Sequence, residues 1–125
     1  MNGVTLSNSN APISLTGTLT GTGTSQVNNA ITLNSGNSIA GTGTLTLGGI
    51  LSGSNGLNKA GSGTAILNAS NTYTGTTAIT VGTLQLGAAN RIADSSAVTI
   101  SSGATFNLNS FAETVGSIAG AGNIT

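Results

Sequence analysis

Leucines that close short apolar–polar alternations recur at Leu47, Leu67, Leu86 and Leu108, separated by 20, 19 and 22 residues. A recurrence near 20 marks one unit of supersecondary structure repeated along the chain. Within each unit the alternation has period two: Ile31-Thr32-Leu33, Leu45-Thr46-Leu47, Ile79-Thr80-Val81, Leu84-Gln85-Leu86, Val98-Thr99-Ile100 and Phe106-Asn107-Leu108 set apolar groups on one side and Thr, Gln or Asn on the other. That is a strand with one dry face. Two phrases repeat as well. Ala-[Ile/Val]-Thr-[Leu/Val/Ile] occurs at residues 30–33, 78–81 and 97–100, and a glycine phrase at residues 41–47 and 61–67 begins again at 120–125. Helix is disfavoured, because no segment holds apolar residues at i, i+3, i+4 and i+7 for more than a turn. Clusters of Gly, Asn and Ser between the strands supply the corner residues. Strands this short bury their apolar faces only by stacking coil on coil. The expectation is an all-β fold, a parallel β-helix (β-solenoid) spanning 1–125 as a single segment, with about six coils of roughly 20 residues stacked at about 4.8 Å. The four spaced leucines are expected to form one inward column.

Composition decides what such a stack can do. Gly, Thr, Ser and Asn make up 72 of the 125 residues, and only Lys59, Arg91, Asp94 and Glu113 carry charge. Disordered chains are rich in charge, Pro or Gln and poor in β-branched residues; this chain has 1 proline and places Leu, Ile or Val every few positions. With three aromatics (Tyr73, Phe106, Phe111) the core is expected to be narrow and aliphatic. The absence of cysteine leaves no disulfide framework and no thiolate metal site. No cluster of Lys or Arg offers a nucleic-acid footprint or an anionic-membrane surface. Apolar runs of about three residues exclude membrane insertion by a spanning helix. No Lys or Arg precedes Lys59 and no apolar leader core follows Met1, so a secretory signal is not expected within this chain, and an exported protein would extend beyond it.

Residues 56–87 resemble the passenger-associated β-strand repeat of bacterial autotransporters. Lys59, Gly61, Gly63, Thr64 and Leu67 fit its opening phrase; Asn71, Tyr73, Gly75 and Thr77 fit the middle; Gly82, Thr83, Leu84 and Leu86 fit the closing strand. Ala65-Ile66 departs from the usual alternation there. The resemblance implies a right-handed parallel β-helix, an extracellular or bacterial cell-surface location, and service in surface display, adhesion or biofilm formation.

Catalysis has few residues to work with. Without His or Cys there is no imidazole base, no thiolate nucleophile and no His-bearing triad. Asp94 and Glu113 lie 19 apart, about one coil, a spacing that would suit a carboxylate pair on neighbouring coils. Sugar chemistry also wants aromatic platforms and further carboxylates. Both acids therefore read as solvated turn charges, Asp94 beside Arg91. Gly41-Thr42-Gly43 and Gly61-Ser62-Gly63 lack the third glycine of a dinucleotide fingerprint and read as corners. One aspartate cannot supply a calcium-binding β-roll. No catalytic, cofactor-binding or metal residue is assigned, and no enzyme activity or cofactor is expected. Lys59 reads as a corner lysine and Tyr73 as a ring over the coil edge. Thr-x-Thr runs at 16–20, 22–24, 42–46 and 72–76 recur irregularly, which favours β-propensity on outward positions over an ordered ladder.

The sequence thus points to a structural β-solenoid, a stalk segment of an autotransporter-like surface or secreted protein. An alternative is a self-assembling filament subunit joined head to tail, because Gly3-Val4-Thr5-Leu6 and Gly122-Asn123-Ile124-Thr125 both read as uncapped strand phrases. A second alternative is a Thr-ladder ice-binding or carbohydrate-binding solenoid. Expected partners are adjacent coils of a longer passenger or identical copies stacked end to end. The sequence names no receptor and no surface carbohydrate.

Overall fold

A computed structural model of the chain describes residues 11–125, together with the backbone of Thr5 and Leu6. The phrase Gly3-Val4-Thr5-Leu6 otherwise lies outside the described residues. Every described strand pairs in parallel, and none of the described residues is helical. After β1 (Thr5–Leu6), the first coil runs through β2 (Ile13–Leu15), β3 (Thr18–Gly21) and β4 (Thr24–Val27). The second holds β5 (Ile31–Leu33), β6 (Ser38–Gly41) and β7 (Thr44–Leu47), and the third β8 (Leu51–Ser52), β9 (Leu57–Lys59) and β10 (Thr64–Leu67). Three further coils carry two strands each: β11 (Thr77–Ile79) and β12 (Thr83–Leu86), β13 (Ala97–Ile100) and β14 (Thr105–Asn107), then β15 (Ser117–Gly120) and β16 (Asn123–Ile124). The parallel β-solenoid of about six coils with spacing near 20 is the fold that the recurring leucines predict.

Three walls result. One sheet runs β1-β4-β7-β10-β12-β14-β16, a second β15-β13-β11-β9-β6-β3, and a third β2-β5-β8. The third wall loses regular strands after β8 but keeps its hydrogen bonds. Thr72 and Tyr73 donate their N–H groups to the Leu51 carbonyl at 2.8 and 3.2 Å, and Thr74 donates to Gly53 at 3.0 Å.

Register turns the alternation into columns. Val27, Leu47, Leu67 and Leu86 stack inward in consecutive coils and are all buried. Leu108 follows the Gln85–Asn107 pair and so comes next to Leu86 at the end of that column, just before the chain turns away through Asn109 and Ser110, at φ 51 and 64. It packs on the core while half-exposed. Beside this column run Leu45, Ala65, Leu84 and Phe106, with Ala65 holding the inward place where the repeat's alternation is broken. A second departure from the predicted alternation is Val81, which is 48 % exposed. Its strand ends at Ile79, and the inward partner of Ile79 on the same face is Thr77.

Corners between the first two walls bring backbone against backbone. A Cβ placed on Gly41 (φ +122) would collide with the Gly21 carbonyl oxygen, and one on Gly61 (φ +73) would meet the Gly41 nitrogen at 2.5 Å. The Gly-x-Gly phrases are therefore corner glycines required by the coil-to-coil spacing, since any side chain would hold the coils apart.

Candidate functional site

The four charged residues do not converge. Asp94 is exposed in the turn before β13. Glu113, expected to be solvated, is half-buried, and its carboxylate accepts the N–H groups of Arg91 at 2.7 Å and Ile92 at 3.1 Å from the preceding coil. It stands where a strand carbonyl would stand. Arg91 in turn donates Nε to the Ala89 carbonyl at 2.8 Å and Nη1 to the Asn68 carbonyl at 2.7 Å, not to Asp94. Glu113 faces backbone amides instead of Asp94, so the two acids are not arranged as a general acid and base around a common space.

Lys59 lies at a corner, as the sequence reading has it, and is buried there. It is 2 % exposed, and its stem lies in the inward column between Ile39 and Ile79. The tip turns to the corner, where Nζ donates to the carbonyls of Ala60 at 2.8 Å, Gly61 at 2.8 Å and Val81 at 3.1 Å. Three donors meet three acceptors, with no carboxylate among them. Burial lowers the amine to about 8 from its ordinary 10.5.

Tyr73 is likewise inside the coil, not over its edge. The ring is buried, and its hydroxyl lies 2.6 Å from Thr77 Oγ1, which lies 3.3 Å from Ser96 Oγ; Ser96 donates to the Gly75 carbonyl at 3.0 Å. Burial pushes the phenol up to about 12, opposed by the Thr77 hydrogen bond and reinforced by the negative charge of Glu113. Asn71 completes this polar interior. Its Oδ1 accepts from Leu51 N–H at 2.8 Å and its Nδ2 donates to the Arg91 carbonyl at 2.9 Å, so one side-chain amide bridges two coils as a peptide group would. Asn71 and Tyr73 stand out in the sequence only through the repeat resemblance. Ser96 carries no sequence signal, because an inward serine reads as another corner residue.

Two surface features remain. An open depression of about 350 Å³ is lined by Asn34, Asn37, Asn55, Asn58 and Thr76, with amides and hydroxyls but no ring and no charge in its walls. Asn37 donates to the carbonyls of Asn34 and Gly56, both at 2.8 Å, while its Oδ1 is buried without a partner. On the first wall, threonines that look irregular in sequence align. Thr24, Thr44, Thr64, Thr83 and Thr105 stack in one outward column, each in register with the next. The neighbouring outward column is mixed: Gln26, Thr46, Ile66, Gln85 and Asn107. A single rank of threonines results, not a paired array.

The side chains of Lys59, Asn71 and Ser96 each donate to a backbone carbonyl, and those of Lys59 and Asn71 reach across coils. No curated protein and no solved structure matches the chain. A family model described as passenger-associated-transport-repeat matches residues 57–86, the stretch from β9 to β12 that contains Lys59, Asn71, Tyr73 and Thr77. That stretch of the chain is thus similar to a passenger-associated-transport-repeat, set within a longer parallel β-solenoid.

Proposed function

We propose that this chain is a rigid length of an autotransporter-type passenger, whose work at the bacterial surface is mechanical: to extend a stalk that carries binding elements away from the cell. The observation that carries this reading is the matched repeat at residues 57–86 continuing in register into the coils on both sides. Side chains with catalytic chemistry are few, and those buried in the coil serve coil-to-coil bonding. A direct test places the chain, with an epitope tag at its amino end, in the passenger position of an autotransporter translocation cassette. Tag exposed on intact cells, with the solenoid surviving added protease, is the expected result. Retention of the tag inside the envelope, or rapid degradation at the surface, would contradict it.

We propose as a second reading that identical copies join end to end. The sixth coil leaves Ile118 and Ile124 47 % and 48 % exposed, although each continues an inward column, below Val98 and Phe106 respectively. A further coil would cover them, whether supplied by adjoining chain or by another copy. In the second reading a copy supplies it. Sedimentation across a hundredfold concentration range separates the two, since end-to-end joining gives a mass that grows with concentration.

A further inference from the structure

The environment of Lys59 has a geometric origin in the neighbouring coil. Between the second and first walls, each coil turns from an inward column residue to an outward threonine: Leu19 to Thr24, Ile39 to Thr44, Lys59 to Thr64 and Ile100 to Thr105, five positions each time. In the fourth coil the same turn, Ile79 to Thr83, takes four. In the fifth coil, which stacks on the shortened corner, Ala104 donates to Ser101 of its own corner at 3.0 Å, whereas in the second and third coils the N–H before the threonine meets a carbonyl of the coil below, Gly43 donating to Gly21 at 3.4 Å and Gly63 to Gly41 at 2.9 Å. By the same pattern Gly82 would donate to Gly61. It does not. With one residue fewer, Val81 N–H joins Thr80 N–H on the Lys59 carbonyl, at 3.4 and 2.8 Å, and among the described residues no backbone N–H reaches the carbonyls of Ala60, Gly61 or Val81. Those are the three oxygens that Lys59 Nζ contacts. The sixth coil turns in three positions, Gly120 to Asn123, but the corner it covers, residues 101–103, is exposed, and its Ser101 carbonyl accepts the Ala104 N–H at 3.0 Å.

We infer that the shortened corner at Val81-Gly82 creates a carbonyl-lined cation site, and that the Lys59 ammonium is its built-in occupant, replacing the backbone donor that the missing residue would have supplied. A partly covered carbonyl without a donor is costly, so the corner selects a group that brings several N–H donors on one atom, although burial itself disfavours the positive charge. The ligand class is a primary ammonium. The isoleucines in the same column at 39 and 79 show that an apolar side chain fits the interior; what the third coil adds is the head group.

Restoring the missing residue should remove the need for the lysine. The test compares melting temperatures of four chains: the native chain, Lys59→Ile, the native chain with one glycine inserted between Val81 and Gly82, and the insertion combined with Lys59→Ile. The expected result is a loss from Lys59→Ile that the insertion at least halves. An equal loss with and without the insertion overturns the proposal. Should Lys59→Ile alone fail to fold, recovery of β structure on adding the insertion supports it, and continued unfolding of the double variant overturns it. An independent arm uses Lys59→Ala titrated with propylammonium chloride against tetramethylammonium chloride at equal ionic strength. A saturable rise in stability with propylammonium only is expected; equal responses to the two salts count against a donor-selective site.

Discussion

At the scale of single residues, the interior of this solenoid is made by groups whose ordinary place is in water. The Lys59 amine sits at about 8 and the Tyr73 phenol at about 12, against 10.5 and 10.0 when free. The signs give opposite slopes. Between pH 8 and 10.5 the unfolded chain keeps the lysine proton that the folded chain has released, so unfolding takes up a proton and stability rises with pH. Between pH 10 and 12 the folded chain keeps the tyrosine proton that the unfolded chain loses, so stability falls. A urea midpoint that climbs from pH 8 to about 10 and then declines is expected. Lys59→Met should remove the climb and Tyr73→Phe the decline, and a native profile flat across both windows would mean that neither group is buried as described. Asn71 allows a more local test. Asn71→Leu orphans the Leu51 N–H, while the Arg91 carbonyl keeps the backbone N–H of residue 71, and should cost about 1–3 kcal/mol, with faster amide exchange at Leu51. Unchanged protection there would show that the side chain does not bridge the coils.

Strands and corners show how far the sequence reaches. The alternation in Ile31–Leu33, Leu45–Leu47, Leu84–Leu86 and Val98–Ile100 predicts which side chains point inward, because a strand with one dry face leaves no other reading. It fails at Val81, where the strand stops two residues before the alternation does; strand ends are set by corner geometry, which local apolar pattern does not encode. Lys59 and Tyr73 escape a reading by residue type for another reason. A charged or hydroxylated tip is ordinarily solvated; the carbonyls of the shortened corner receive the Lys59 tip and the Thr77 hydroxyl receives that of Tyr73, and neither partner is visible in a local pattern. The Thr24–Thr105 column is hidden too, since its members lie 19 to 22 residues apart and become neighbours only once the register is known. The register itself is open to test by a pair of substitutions. Leu67→Asp buries an unpaired charge and should cost several kcal/mol, whereas Thr99→Asp on the exposed side of β13 should stay within about 0.5 kcal/mol. Comparable losses in chemical denaturation would put the wrong face inward.

For the molecule as a whole, the consequence is a column of coils with almost no electrostatic surface. Between residues 11 and 90 the only charged side chain is Lys59, and it is buried. Any association between copies should therefore respond weakly to salt; a self-association abolished by moderate ionic strength would require charges that this surface lacks. The fold is one parallel hydrogen-bonded step after another along its walls. The claim beneath every other is that these steps are stacked in one continuous register. Because the chain has no cysteine, spin labels can be set singly at Thr24→Cys and Asn123→Cys, two exposed outward positions joined by five register steps, through Thr44, Thr64, Thr83 and Thr105. Five steps of about 4.8 Å predict a single narrow distance near roughly 24 Å in a pulsed dipolar measurement. A broad distribution, or a main distance far from that value, would contradict the stacked solenoid.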